Sequence, residues 1–278
     1  MCVILHCEST TPEQEILETC EARNGDGIGL AYFEDHGDSR VTAFEKGIDL
    51  NYLSGRIEEL PFPYAIHFRK ETAGGVQPEL CHPFPINERA SVELEGQADR
   101  VLMHNGTISD WEDVLKFFIA GHGIQEIPEM NPMSDSRAAA FIVHHLGNQG
   151  EQYLPILSSS NRFLIMNAND EEFPIQRWGH WKFCITLDDE DESDSTMVKN
   201  NTVFETGVVF SNSYWTKSWI TTKSFKCVSS EQRMAFSSRP KVHSSKSFSN
   251  RCLGTRRRQS TSLAMKTALR SMTSEIRR

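Results

Sequence analysis

No apolar run among the 278 residues approaches the roughly 20 needed to span a bilayer. The opening Met-Cys-Val-Ile-Leu-His lacks both the basic flank and the long apolar stretch of a signal peptide. The default expectation is a cytoplasmic protein without a membrane span. Paired cysteines at CxxC spacing are missing as well. The seven cysteines, at positions 2, 7, 20, 81, 184, 227 and 252, are odd in number and scattered, which argues for free thiols rather than a disulfide framework or a zinc site. Neither GxGxxG nor GxxxxGK[ST] occurs, so no dinucleotide or P-loop signature is present. From these absences no cofactor and no metal is expected.

What the chain does contain is divided unevenly. The net charge of −9 is the balance of two opposite parts. Residues 218–278 carry 14 Lys+Arg against 2 Asp+Glu, with 14 serines, whereas residues 1–217 carry 15 Lys+Arg against 36 Asp+Glu. A basic, serine-rich stretch so poor in periodic apolar positions cannot build its own core and is expected to be disordered. The folded unit is therefore placed at 1–217 and the basic tail at 218–278. Nucleic-acid binding by that tail is not favoured, because only Trp219, Phe225, Phe236 and Phe248 are available for base stacking.

Within 1–217 the patterning alternates between strand and helix periods. Cys2 to His6 reads as a buried strand. A helix follows from Thr11-Pro12 to Asn24-Gly25, carrying Ile16, Leu17 and Cys20 at helical spacing. Strands are expected at 28–34, 40–45, 64–69, 100–104, 162–167, 182–187 and 207–211, and helices at 50–60, 110–120 and 136–145. Strands in succession with helices in pairs indicate an α+β fold in which helix layers face sheets. The acidic run Asp188-Asp189-Glu190-Asp191-Glu192 reads as a solvated loop, since consecutive carboxylates do not converge on one ion without a turn to fold them.

Four segments carry candidate chemistry, each beside a plainer alternative. Cys2 becomes the first residue if Met1 is removed. It then unites a thiol, titrating near 8.5, with an α-amine near 7.7 to 8.0 that can take the thiol proton. It is otherwise an ordinary core cysteine. Arg69, ending an apolar strand before the loop of Thr72-Ala73-Gly74-Gly75, can grip a carboxylate bidentately or lie on the surface. Asn105-Gly106 offers a side-chain amide beside a backbone N–H, two donors for an oxyanion, or a hairpin turn. Ser134-Asp135-Ser136, before an alanine-rich helix, offers a carboxylate for an ammonium, or a helix N-cap.

In this chain order the segments resemble the class II glutamine amidotransferases, N-terminal-nucleophile (Ntn) hydrolases. The resemblance covers 2–217 and rests on six segments in order. They are Cys2, Asn24-Gly25-Asp26-Gly27-Ile28-Gly29, His67-Phe68-Arg69 with Thr72, Cys81-His82-Pro83, His104-Asn105-Gly106 and Ser134-Asp135-Ser136. It implies a four-layer αββα sandwich and a glutaminase reaction through a Cys2 thioester. Asn105 and Gly106 would stabilise the oxyanion, Arg69 and Asp135 would hold the α-carboxylate and α-ammonium, Thr72 would shape the substrate loop, and His82 would be structural. Lys70 and Ala73 stand where many members have Trp and His. The tail is too short to be an ammonia-accepting synthase domain, so the resemblance is to the stand-alone branch, with glutamine or another γ-glutamyl amide as substrate and a separate synthase as possible partner. A catalytically silent binding module that retains Met1 is the alternative outside enzymology.

Overall fold

The computed structural model describes residues 2–71, 75–124, 131–157, 160–186, 204–212 and 225–229. Its elements run β1 (Val3–Cys7), α1 (Gln14–Arg23), β2 (Ile28–His36), β3 (Ser39–Ile48), α2 (Leu50–Arg56), β4 (Tyr64–Phe68), β5 (Phe84–Pro85), β6 (Glu95–Ala98) and β7 (Arg100–Asn105). Then come α3 (Trp111–His122), α4 (Asp135–Leu146), α5 (Leu154–Leu157), β8 (Arg162–Asn167), β9 (Ile175–Trp178), β10 (Lys182–Thr186), β11 (Phe204–Phe210) and β12 (Phe225–Ser229). No described helix is long and apolar enough to cross a membrane.

The strands form two antiparallel sheets. The larger has the order β12-β10-β11-β1-β4-β2-β3-β6, and the smaller β5-β7-β8-β9. Because strand side chains alternate between faces, a strand apolar at every position is buried on both sides. β1 shows this. Val3, Leu5 and Cys7 join Ile16, Leu17 and Cys20 of α1 and Leu53 of α2 in one core. Ile4 points the opposite way and meets Val101 and Met103 of β7 and Leu164 and Met166 of β8 in a second core between the sheets. On its other face the small sheet presents Leu102, Phe163 and Ile165 to Val114, Leu115 and Phe118 of α3 and to Ala138–Val143 of α4. The expectation of mixed α and β structure with helices facing antiparallel sheets agrees with this arrangement.

The differences lie mostly at sheet edges. β5, β6 and β9 have two to four residues each, too short to show a period in sequence. The helix expected over 50–60 ends at Arg56 and continues as a 3-10 turn over Ile57–Glu59. β12 lies beyond Lys217 and pairs with β10, Cys184 opposite Cys227. The remainder of 218–278 and the acidic run 188–192 lie outside the described residues.

Candidate active site

Antiparallel register brings the first pieces of the site together. β1 pairs with β4 so that Val3 faces Phe68, which sets Cys2 beside the residues that follow β4. The Cys2 thiol donates to the Lys70 carbonyl at 3.3 Å and accepts from the Lys70 N–H at 3.2 Å. Burial raises the Cys2 pKa and the Lys70 N–H works against that rise, so proton removal needs a dedicated acceptor nearby. On the other side of β1, Ile4 donates to Ser211 Oγ at 2.8 Å, and Asn212, just past β11, donates its amide to the Cys2 carbonyl.

Arg69 is 4% exposed, and its Nη2 donates to the Gly75 carbonyl at 2.7 Å. Its main chain is clamped by the loop before β2, Arg69 N to Gly27 O at 2.9 Å and Asp26 N to Arg69 O at 3.1 Å. Asp26 accepts from the Glu71 N–H at 2.8 Å and pairs with Lys70 Nζ at 3.2 Å. The Glu71 bond lowers the Asp26 pKa most. Asp26 thus fastens the turn between Arg69 and Glu71 to the loop before β2. Gly29 is required where β2 passes the next segment, because a Cβ there would sit 1.5 Å from the His82 carbonyl oxygen.

β7 supplies the third piece. Its antiparallel partner β8 comes only after both helices, so Asn105-Gly106 ends a strand and does not form a hairpin. Gly106 has φ of 153°, a value that side-chain-bearing residues rarely adopt. Asn105 is fully buried. Its Nδ2 donates to Ser211 Oγ at 2.7 Å, and its Oδ1 has no hydrogen-bond partner among the described residues.

α4 supplies the fourth. Ser134 is its N-cap, accepting from the Arg137 N–H at 3.2 Å, and Asp135 is the first helical residue, so the cap and the candidate carboxylate are neighbours in one triplet. Asp135 is 5% exposed. Its Oδ2 accepts from Ile108 N at 2.9 Å and its Oδ1 from Ser136 N at 2.8 Å. The turn is held by the buried guanidinium of Arg137, which donates to the carbonyls of Ala90, Pro132 and Arg89 at 2.8, 2.6 and 3.2 Å.

Cys2, Arg69, Gly106 and Asp135 line one cavity of about 20 Å³, together with Lys70, Leu80, His82, His104, Ser134 and Ser136. Asn105 is not among the residues that line it, and Thr72 lies outside the described residues. His82 is buried with its ring 4.0 Å from that of His67. Burial holds both imidazoles neutral, His67 down to about 3 and His82 well below its ordinary value. The sequence reading quoted His104 and Ser136 in its segments without giving them a role, and missed the Lys70 main chain, Asn161, Ser211 and Asn212. Of these, Ser211-Asn212 carried a usable signal, a polar pair directly after an apolar strand.

Comparison with known proteins leaves this geometry as the principal guide. No protein-family model matches the chain, and no curated protein does. Solved structures with similar folds include glutamine phosphoribosylpyrophosphate amidotransferase from B. subtilis complexed with ADP and GMP, at TM-score 0.44 and 13% identity, covering 81% of this chain and 44% of that one. A structure described as the allosteric regulatory enzyme of purine biosynthesis gives 0.44 and 15% with the same coverages. A glutamine aminotransferase class-II domain protein from Silicibacter pomeroyi gives 0.32 and 11%, covering 66% of this chain and 82% of that one. The chain spans less than half the length of the first two. At these TM-scores and identities the likeness carries no functional argument.

Proposed function

We propose that this chain is a class II, Ntn-type glutamine amidotransferase domain that hydrolyses the side-chain amide of glutamine to glutamate and ammonia. The observation that carries the reading is the convergence on one cavity of a cysteine, an arginine, a strand-end glycine and an aspartate from four separate segments. Two opposite charges suit the two ends of an α-amino acid, and Cys2 lines the same cavity. The reading takes the helix layers and sheets as the αββα sandwich of Ntn hydrolases and 1–217 as the catalytic domain.

In the proposed reaction Met1 has been removed and the Cys2 α-amine accepts the thiol proton. The sulfur attacks the amide carbon, and the oxyanion is stabilised by the Gly106 N–H and by the Asn105 amide, anchored on Ser211. The tetrahedral intermediate collapses, the C–N bond breaks, and ammonia leaves with the proton returned from the Cys2 ammonium. Water, deprotonated by the same amine, cleaves the γ-glutamyl thioester to glutamate and the free thiol. Arg69 holds the α-carboxylate and Asp135 the α-ammonium. A 20 Å³ cavity has room for little more than a water molecule, so substrate binding replaces the Gly75 carbonyl on Arg69 by the substrate carboxylate and enlarges the cavity.

The test is ammonia release from glutamine and from a panel of γ-glutamyl amides, with intact-mass measurement of the protein. Glutamine turnover, Met1 absent, and loss of turnover in a folded Cys2→Ala variant are expected. Met1 retained on every molecule would sink the catalytic reading. Turnover of another γ-glutamyl amide in place of glutamine would keep the mechanism and change the leaving group.

A further inference from the structure

Behind Gly106 lies a chain of hydrogen bonds whose first two links have a fixed direction. Asn161 Nδ2 lies 2.8 Å from the Leu157 carbonyl. A carbonyl only accepts, so the amide nitrogen must face it and Asn161 Oδ1 must face the other way. That oxygen lies 3.0 Å from His104 Nε2, so Nε2 is the donor in this contact. His104 Nδ1 lies 2.9 Å from Ser136 Oγ, which is itself 3.3 Å from Asp135 Oδ1. Ser136 in turn donates its N–H to Asp135 Oδ1 at 2.8 Å. The ring is clamped from the side as well, stacked on Phe163 at 4.7 Å. All five residues Ser136, Asp135, His104, Asn161 and Phe163 are at most 5% exposed.

The same Asn161 oxygen presses on Gly106. A Cβ at Gly106 would lie 2.1 Å from Asn161 Oδ1 and 3.0 Å from the Asn161 Cα, so the side chain packs directly against the backbone whose N–H the proposal assigns to the oxyanion. Resting on the amidohydrolase reading above, we infer that Asn161 is a positioning residue that sets the Gly106 peptide for oxyanion binding, and that His104 couples it to Ser136 and Asp135. The carboxylate assigned to the substrate ammonium and the N–H assigned to the oxyanion are thereby joined through side chains. Binding at one end orders the donor at the other.

The test compares glutamine kinetics of the parent protein with Asn161→Leu, which keeps the bulk and removes the oxygen, and with His104→Asn and His104→Gln. Asn161→Leu is expected to lower kcat about 10- to 100-fold, with KM within about threefold, because a misaimed oxyanion donor acts on the transition state. Alkylation of Cys2 by iodoacetamide passes through no oxyanion and should proceed at the parental rate. Gln in place of His104 carries a donor near Nε2 and Asn does not, so His104→Gln should retain more kcat than His104→Asn. If Asn161→Leu does not fold, this His104 order decides the matter. Combining Asn161→Leu with His104→Asn should cost no more than the larger single loss, since both break one link. Parental kcat in Asn161→Leu, equal changes in kcat and alkylation rate, or His104→Asn matching His104→Gln would each overturn the inference while leaving the amidohydrolase reading intact. A parent protein inactive on every amide would overturn both.

Discussion

Replacing Arg69 by Lys isolates what the guanidinium does. Arg69 is almost fully enclosed, and one acceptor of its guanidinium, the Gly75 carbonyl, belongs to an exposed residue. That carbonyl can turn to water when the guanidinium is lost, and a lysine keeps the buried positive charge. The substrate carboxylate has no such substitute inside the cavity. A lysine keeps the charge but offers one point donor where arginine offers a fork. The loss of one charge-assisted hydrogen bond is about 1.5 to 3 kcal/mol, which at about 1.4 kcal/mol per tenfold predicts a KM for glutamine raised about 10- to 100-fold, with kcat changed little.

The decisive control is a second substrate, 4-aminobutanamide, which is glutamine without its α-carboxylate. The parent protein should favour glutamine strongly by kcat/KM. Arg69→Lys should narrow that preference by the same 10- to 100-fold, because the shorter substrate has nothing for Arg69 to hold. The assay is ammonia release for both substrates and both proteins, with thermal melting to register any change in the fold. An equal loss on both substrates would show that Arg69 supports the architecture of the cavity and does not read the carboxylate.

Three further outcomes follow from neighbouring residues. Asp135→Asn must point an NH2 at either the Ile108 or the Ser136 N–H, so it should cost about 1 to 3 kcal/mol of stability by chemical denaturation and weaken binding of glutamine more than of an analogue lacking the α-amine. His6 and His67 are held down to about 3 and His82 well below its usual value, all chiefly by burial. The unfolded chain, with imidazoles near 6.5, therefore binds more protons in acid. Stability is full above about pH 6.5 and is lost as pH falls toward 3, with a slope reaching about 4 kcal/mol per pH unit if all three contribute. A melting temperature flat from pH 7 to pH 4.5 would contradict this. Ending the chain at Lys217 removes β12 from the edge of the large sheet and leaves β10 as the new edge. The shortened protein should fold and keep activity with a modest loss of melting temperature, and failure to fold would move the domain boundary past Ser229.

Several of these groups were legible before any coordinates because their sequence signals are local. Ser134-Asp135-Ser136 before a run of helix formers marks a cap whatever surrounds it, and Ser134 is the cap. Arg69 follows five apolar or aromatic-rich positions that are all buried as β4. The supporting residues were not legible, because their roles depend on pairs far apart in the chain. Nothing near Asn161 announces that its oxygen will meet His104 and Gly106, and nothing near Lys70 announces that its peptide will hold the Cys2 sulfur. The short strands escaped for a different reason. Two residues at β5 and four at β6 form strands because a neighbour offers free backbone groups, which is tertiary context and not patterning.

Strand parity explains why the site has two supporting systems and not one. On β7 the odd positions Val101 and Met103 enter the core between the sheets, and Leu102 enters the core under α3 and α4. Asn105 continues the odd set and His104 the even one, since successive strand side chains point to opposite faces. Asn105 accordingly reaches across to the large sheet, where Ser211 continues the inward set that contains Val209. His104 reaches the helices, where it meets Ser136 of α4. Cys2 shares its parity with Ile4 and so faces the small sheet, while Val3 faces α1. A slip of one residue in the β1–β4 register would turn the Cys2 sulfur toward α1 and away from Gly106. Cys2 is therefore held by the packing of the strand behind it as well as by its own contacts, with Val3, Leu5 and Cys7 in the core under α1 and α2 and Ile4 in the core between the sheets. Replacing Leu5 by Asp should then remove both fold and activity, although Leu5 touches no part of the cavity.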